Sequence, residues 1–159
     1  MAGPGGTAAL LQTAAAGDFD LLVYVRLAGN AAGQAGLVLY TDDNDWLTLL
    51  LDQSGHISLC IEAWQRGMPC ATLTLPASTA AGGVWLRVAH QGKRFTGAVS
   101  VDTVNWRTVG SWVPDGGGTT SDSEAQSELA FTGWGVLSRG SAAAWFGDFA
   151  TVLNGQSHA

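Results

Sequence analysis

The sequence predicts an all-β chain folded as a two-layer antiparallel β-sandwich, and three observations carry that prediction. Apolar and polar residues alternate with period two through most of the chain, the signature of strands that bury one face. The alternating runs are short, and many of the 22 glycines fall between them, at the spacing typical of sandwiches and barrels. No segment carries a capped 3.6-residue apolar period. The Ala-rich pieces 14–16, 77–81 and 142–144 are too short to stand as independent helices.

In chain order, strands are expected at 8–12, 19–28, 34–41, 45–52, 56–64, 70–75, 84–91, 94–101, 106–112, 133–139 and 143–152. In the second, Phe19, Leu21, Val23, Val25 and Leu27 share one face, against Asp20, Leu22, Tyr24 and Arg26 on the other. The third is glycine-rich and ends in the acidic turn "TDDNDW". The fourth sets Leu47, Leu49 and Leu51 against Trp46, Thr48, Leu50 and Asp52. In the fifth, Ile57, Leu59 and Ile61 oppose Cys60; in the sixth, Ala71, Leu73 and Leu75 oppose Cys70. A hairpin centred near residue 65 puts the two cysteines across from each other on the outer face. A disulfide and a pair of half-exposed free thiols both fit that placement. Two thiols fall short of a structural zinc site.

The seventh strand alternates Val84, Leu86 and Val88 with Trp85, Arg87 and Ala89, pauses at Gln91-Gly92-Lys93, and returns as the eighth. An Asp-rich turn then leads to Trp106 and the ninth strand. Residues 114–128, "PDGGGTTSDSEAQSE", read as a flexible surface loop before the closing pair. Every strand thus has one greasy and one mixed face, and the mixed faces hold more aromatic residues than solvation requires.

The 159 residues suit a single domain, 1–159. Hydrophobic residues make up 47% of the chain, too many for disorder. The net charge is −6, and the seven Lys and Arg residues are scattered. A phosphate-tracking surface needs clustered cations, so nucleic acid and anionic membranes are poor partners. No apolar run is long enough for a transmembrane helix. The start lacks a basic region followed by a long apolar block. Two compartments stay open: extracellular for a domain excised from a secreted protein, cytoplasmic otherwise.

"WLRVAHQGKRFTGAVSVDTVNWRTVGSW", beginning at Trp85, resembles a recurrent pattern of concanavalin A-like (laminin-G-like) β-sandwiches. The branch is that of β-xylosidase C-terminal accessory domains and regulator-of-enolase-like domains. Trp85-Leu86-Arg87-Val88, Gly92, Ser100 to Asp102 and Trp106 occupy the pattern's positions. "GDFDLLVYVRL", "GQAGLVLYTDDNDWLTLLL" and "FTGWGVLSRGSAAAWFGDFATV" follow the family's order, so the resemblance spans roughly residues 8–153. It implies a jelly roll of about 10–12 strands and places Trp106 in the core. Phe146 and Phe149 are read as core residues too. Two departures stand out. The turn Asp102-Thr103-Val104-Asn105 lacks the family's glycine, and little chain precedes "ALLQT". A first strand supplied by the C-terminal tail or by a partner would cover that edge; left uncovered, it invites homo-oligomerisation.

Chemistry needs converging groups. The only glutamates are Glu62, Glu124 and Glu128, and Glu62 has no acidic partner two or four residues on, which argues against a glycosidase pair. His56 and His90 have no recognisable nucleophile beside them, there is no G-x-S-x-G elbow, and the glycines at 116–118 open no helix. The reading is therefore noncatalytic. Asp42, Asp43 and Asp45 offer oxygen ligands for a structural calcium ion, with Asp148 added by the family resemblance; an ordinary acidic β-turn is the competing account.

The remaining signal is aromatic. Of the seven tryptophans, Trp85, Trp106, Trp134 and Trp145 suit structural roles, whereas Trp46, Trp64 and Trp112 lie near strand ends or loops. Exposed aromatics beside polar groups suit sugars, whose CH groups stack on rings while hydroxyls take directional hydrogen bonds. Tyr24, Arg26, Tyr40, Trp46 and Arg87 are the candidate contacts of a carbohydrate-binding module. A structural or protein-interaction module is the alternative.

Overall fold

The computed structural model describes residues 8–13, 18–28, 33–42, 45–63, 70–76, 79, 82–92, 94–112, 133–140, 143–153 and 156–157. The strands are β1 (Ala8–Thr13), β2 (Phe19–Ala28), β3 (Gly33–Asp42), β4 (Asp45–Asp52), β5 (His56–Ala63) and β6 (Cys70–Thr74). They continue as β7 (Val84–Gln91), β8 (Arg94–Ser100), β9 (Arg107–Trp112), β10 (Gly133–Gly140), β11 (Ala143–Leu153) and β12 (Gln156–Ser157). The expected eleven strands are all present; β12, two residues long, was not foreseen. The loop expected at 114–128 lies outside the described residues.

Two six-stranded sheets form, in the orders β1-β10-β3-β4-β5-β6 and β12-β11-β2-β7-β8-β9. All strand pairs are antiparallel. The period-two pattern decides what each sheet buries. The first sheet turns Leu37, Leu39, Leu47, Leu49, Ile57 and Leu59 inward; the second answers with Leu21, Val23, Val25, Leu86, Val88 and Phe95, in one continuous core. Trp134 joins it, edge-on to Phe19 with ring centroids 4.7 Å apart. This is the two-layer sandwich that alternation predicts.

Close packing between the sheets requires small residues where strands approach. A Cβ added at Gly97 would sit 3.1 Å from Leu49 and 3.3 Å from Leu59, both of the facing sheet, tighter than packed interiors readily accept.

Turns are fixed by carboxylates. Asp52 accepts the backbone N–H of Ser54 and of His56 at 2.9 and 3.0 Å, closing the β4–β5 turn. Asp18, just before β2, accepts the Gly92 N–H at 2.9 Å and ties that strand to the β7–β8 turn. Such side-chain acceptors are the usual reason Asp serves in turns.

Cys60 and Cys70 stand opposite each other across β5 and β6 and are joined by a disulfide. Of the two arrangements the sequence allowed, the bridged one is found. Cys70 is exposed and Cys60 half-buried, on the outer face as expected.

Candidate functional site

The five candidate contacts do not form one site. Tyr40 and Trp46 pair on the outer face of the first sheet, ring centroids 6.3 Å apart. There Trp46 packs on a small apolar cluster of Val38, Leu50 and Leu137, and the Arg139 guanidinium lies 5.7 Å from its ring centroid. Trp46 is half-buried rather than open. Tyr24, Arg26 and Arg87 are on the outer face of the second sheet.

Register arranges that second face into rows. One row runs through Gly147, Tyr24, Trp85 and Ser100, across β11, β2, β7 and β8. The next runs through Ala150, Leu22, Arg87, Ala98 and Thr108. Tyr24 and Trp85 meet edge-to-face at 5.4 Å, and the Tyr24 hydroxyl donates to the Gly82 carbonyl at 2.6 Å. Gly83, at φ +96°, lies against the Tyr24 phenol, where a Cβ would collide. Only glycine accepts both that backbone and that neighbour.

Arg87, opposite Ala98 in the register, places its guanidinium carbon over Trp106, 4.4 Å from the ring centroid. Trp106 is therefore not a core residue. It is half-buried on the mixed face, and its indole N–H donates to the Thr103 carbonyl at 3.2 Å. Phe146, also expected in the core, is 36% exposed. The side chains of Trp145 and Phe149, like residue Trp64, lie outside the described residues. Trp112 is half-buried and packs against Phe95, with centroids 5.8 Å apart.

The turn that seats Trp106 is built on Asp102. Its carboxylate accepts the backbone N–H of Asn105 at 2.8 Å and of Val104 at 2.9 Å, the Asn105 amide at 3.0 Å and the Ser100 hydroxyl at 2.9 Å. These donors, the Asn105 N–H foremost, hold its pKa well below the ordinary carboxylate range. Thr103 takes the left-handed conformation, φ 65°, where the family pattern has glycine. The Ser100 hydroxyl accepts its N–H at 2.8 Å.

The calcium candidates divide between the sheets. Asp42 and Asp45 pair across β3 and β4, and Asp148 falls at the β11 bulge of the other sheet; Asp43 and the side chains of the other three lie outside the described residues. Among the described residues, no three His, Cys, Asp or Glu side chains converge to hold a metal. No helix there is long and apolar enough to cross a membrane.

The aromatic pair Trp85 and Trp106 was assigned to structure by sequence. Parity alone set Trp85 opposite the core residues Val84 and Leu86. No comparable signal existed for Trp106, which precedes its strand.

The model of one sequence family, described as the β-xylosidase C-terminal concanavalin A-like domain, matches residues 7–136. No curated protein matches the sequence. Among solved structures, the GH43 protein BlXynB of Bacillus licheniformis superposes with a TM-score of 0.70 at 17% identity, over 92% of this chain and 30% of that one. The carbohydrate-binding module CBM66 of Bacillus subtilis gives 0.63 at 15%, over 92% and 81%. Sheep galectin-11, in complex with glycerol, gives 0.57 at 9%, over 91% and 97%. At these identities the likeness establishes the fold. The chain spans under a third of the BlXynB length.

Proposed function

The chain belongs to the family of β-xylosidase C-terminal concanavalin A-like domains, and from that premise we propose that it is a noncatalytic carbohydrate-binding module. The observation that carries this is the outer face of the second sheet. There Tyr24, Trp85, Arg87 and Trp106 stand half-exposed together. Rings on a rigid sheet offer stacking surfaces for sugar CH groups, and the guanidinium adds directional donors. The same fold in the carbohydrate-binding module of Bacillus subtilis supports the reading. Tyr40 and Trp46 belong to a separate, more apolar cluster and are second choices. The disulfide favours an oxidising, extracellular compartment.

Affinity gel electrophoresis over common plant and microbial polysaccharides tests this. Retardation by at least one glycan is expected, weakened by Trp85→Ala and Trp106→Ala in proteins that melt normally. Unchanged mobility with every glycan would sink the proposal.

A second reading has its own observation. The turn 101–105 presents Val104 at 76% and Val101 at 55% exposure on a backbone pinned by Asp102. Rigid apolar tips suit contact with protein, either a companion domain or another copy of the chain. Sedimentation of the isolated chain and of a Val101→Ser/Val104→Ser variant would separate self-association from binding to a companion domain.

A further inference from the structure

We infer that the outer-face site of the second sheet takes a sugar bearing a carboxylate, and that Arg87 pairs with that carboxylate. The inference rests on the glycan-binding reading and names its ligand class. Arg87 is half-buried, yet no acceptor among the described residues takes any of its N–H groups, and its Nε is buried without a partner. No carboxylate of the described residues pairs with it either, although the chain carries 13 acidic residues against seven basic ones. Among the described side chains, two acids come near by position. Asp20 pairs with Ala89, one row away on the β2 side, whereas Arg87 turns the opposite way, toward Trp106. Asp102 is engaged by four donors of its own turn.

The guanidinium carbon sits over the indole, 4.4 Å from the ring centroid. A cation seated over an aromatic ring still has N–H donors to offer a further acceptor. The planar guanidinium fork matches a carboxylate bidentately, whereas a neutral hydroxyl supplies one weaker bond and no charge. Tyr24 and Trp85, in the adjoining row, are placed to contact the sugar ring that carries the acid.

Calorimetry decides this with two probes: a xylo-oligosaccharide carrying one glucuronic acid, and the same compound with its carboxyl reduced to the alcohol. The acid form is expected to bind at least about tenfold more tightly, as a charge-assisted pair implies, and the preference should shrink as salt is raised. Arg87→Gln should abolish the preference but keep weak binding of the reduced form, and Arg87→Lys should keep only part of it. Near-UV circular dichroism checks that each variant is folded; if Arg87→Gln is not, the Lys variant carries the comparison. Equal affinity for both probes, or a preference that survives in a folded Arg87 variant, overturns the inference and leaves glycan binding standing. Binding of neither probe nor any polysaccharide overturns both.

Discussion

Arg87 lies over the face of Trp106, guanidinium carbon to ring centroid 4.4 Å, joining β7 to the residue just ahead of β9 across the intervening β8. The contact links a central strand of the second sheet to its edge. It is a cation–π pair on a partly desolvated face, a setting in which such pairs contribute about 0.5–2 kcal/mol. A double-mutant cycle with Arg87→Gln and Trp106→Leu in urea should show coupling of about 1 kcal/mol. Additive effects would mean that the two side chains are merely adjacent.

Asp102 gives the chain a defined acid response. Its folded pKa is depressed by the Asn105 and Val104 N–H groups, the Asn105 amide and the Ser100 hydroxyl. An unfolded Asp titrates near 3.9. The unfolded state therefore takes up the proton first, and the stabilisation, complete above about pH 5, declines as pH falls through 4 and below. Asp102→Asn should be less stable than the parent at pH 7, with the gap narrowing steadily as pH falls below 4. A gap independent of pH would show that the turn does not depend on the charge.

Alternation made the strands and their buried faces legible, because period two is a local property and each strand here has one apolar side. It could not say which sheet a strand joins. Tyr24 and Tyr40 both sit on mixed faces, but β2 lies between β11 and β7 whereas β3 lies between β10 and β4; that division comes from long-range pairing, and it split the expected site in two. The core placement of Trp106 comes from the family resemblance alone, since the residue lies ahead of β9, where parity assigns no face. Phe146 shares the inward register of Val25 yet is exposed; parity assigns a residue its side of the sheet and not its degree of burial. The missing glycine at Thr103 was visible in the sequence; that the residue nevertheless adopts φ 65°, held by Ser100 and Asp102, was not.

The Cys60–Cys70 bridge closes a short loop, with a sequence separation of 10. Chain-entropy arguments give a stabilisation of about 2.5 kcal/mol for such a loop. It also ties β6, the end strand of the first sheet, to β5. Dithiothreitol, or the Cys60→Ser/Cys70→Ser pair, should lower the urea midpoint accordingly, with amide exchange rising first in β6. Thiol titration of the denatured, unreduced protein should find no free cysteine; two free thiols per chain would rule the bridge out.

Gly83 and Tyr24 give the most discriminating stability test, because two separate effects are superimposed there. At φ +96° any residue with a Cβ is strained, and the added carbon would also strike the Tyr24 ring. Gly83→Ala should therefore cost about 2–3 kcal/mol, more than backbone strain of about 1 kcal/mol alone. Tyr24→Phe, which loses only the hydroxyl's bond to Gly82, should cost about 1 kcal/mol. Measured in a Tyr24→Ala background, Gly83→Ala should fall to the backbone share, since the obstructing ring is gone. If its cost is the same in both backgrounds, the glycine does not set the position of Tyr24. The aromatic row on the second sheet would then owe its order to the Tyr24–Gly82 hydrogen bond and the Trp85 contact, and substitutions at Gly83 would leave glycan affinity untouched.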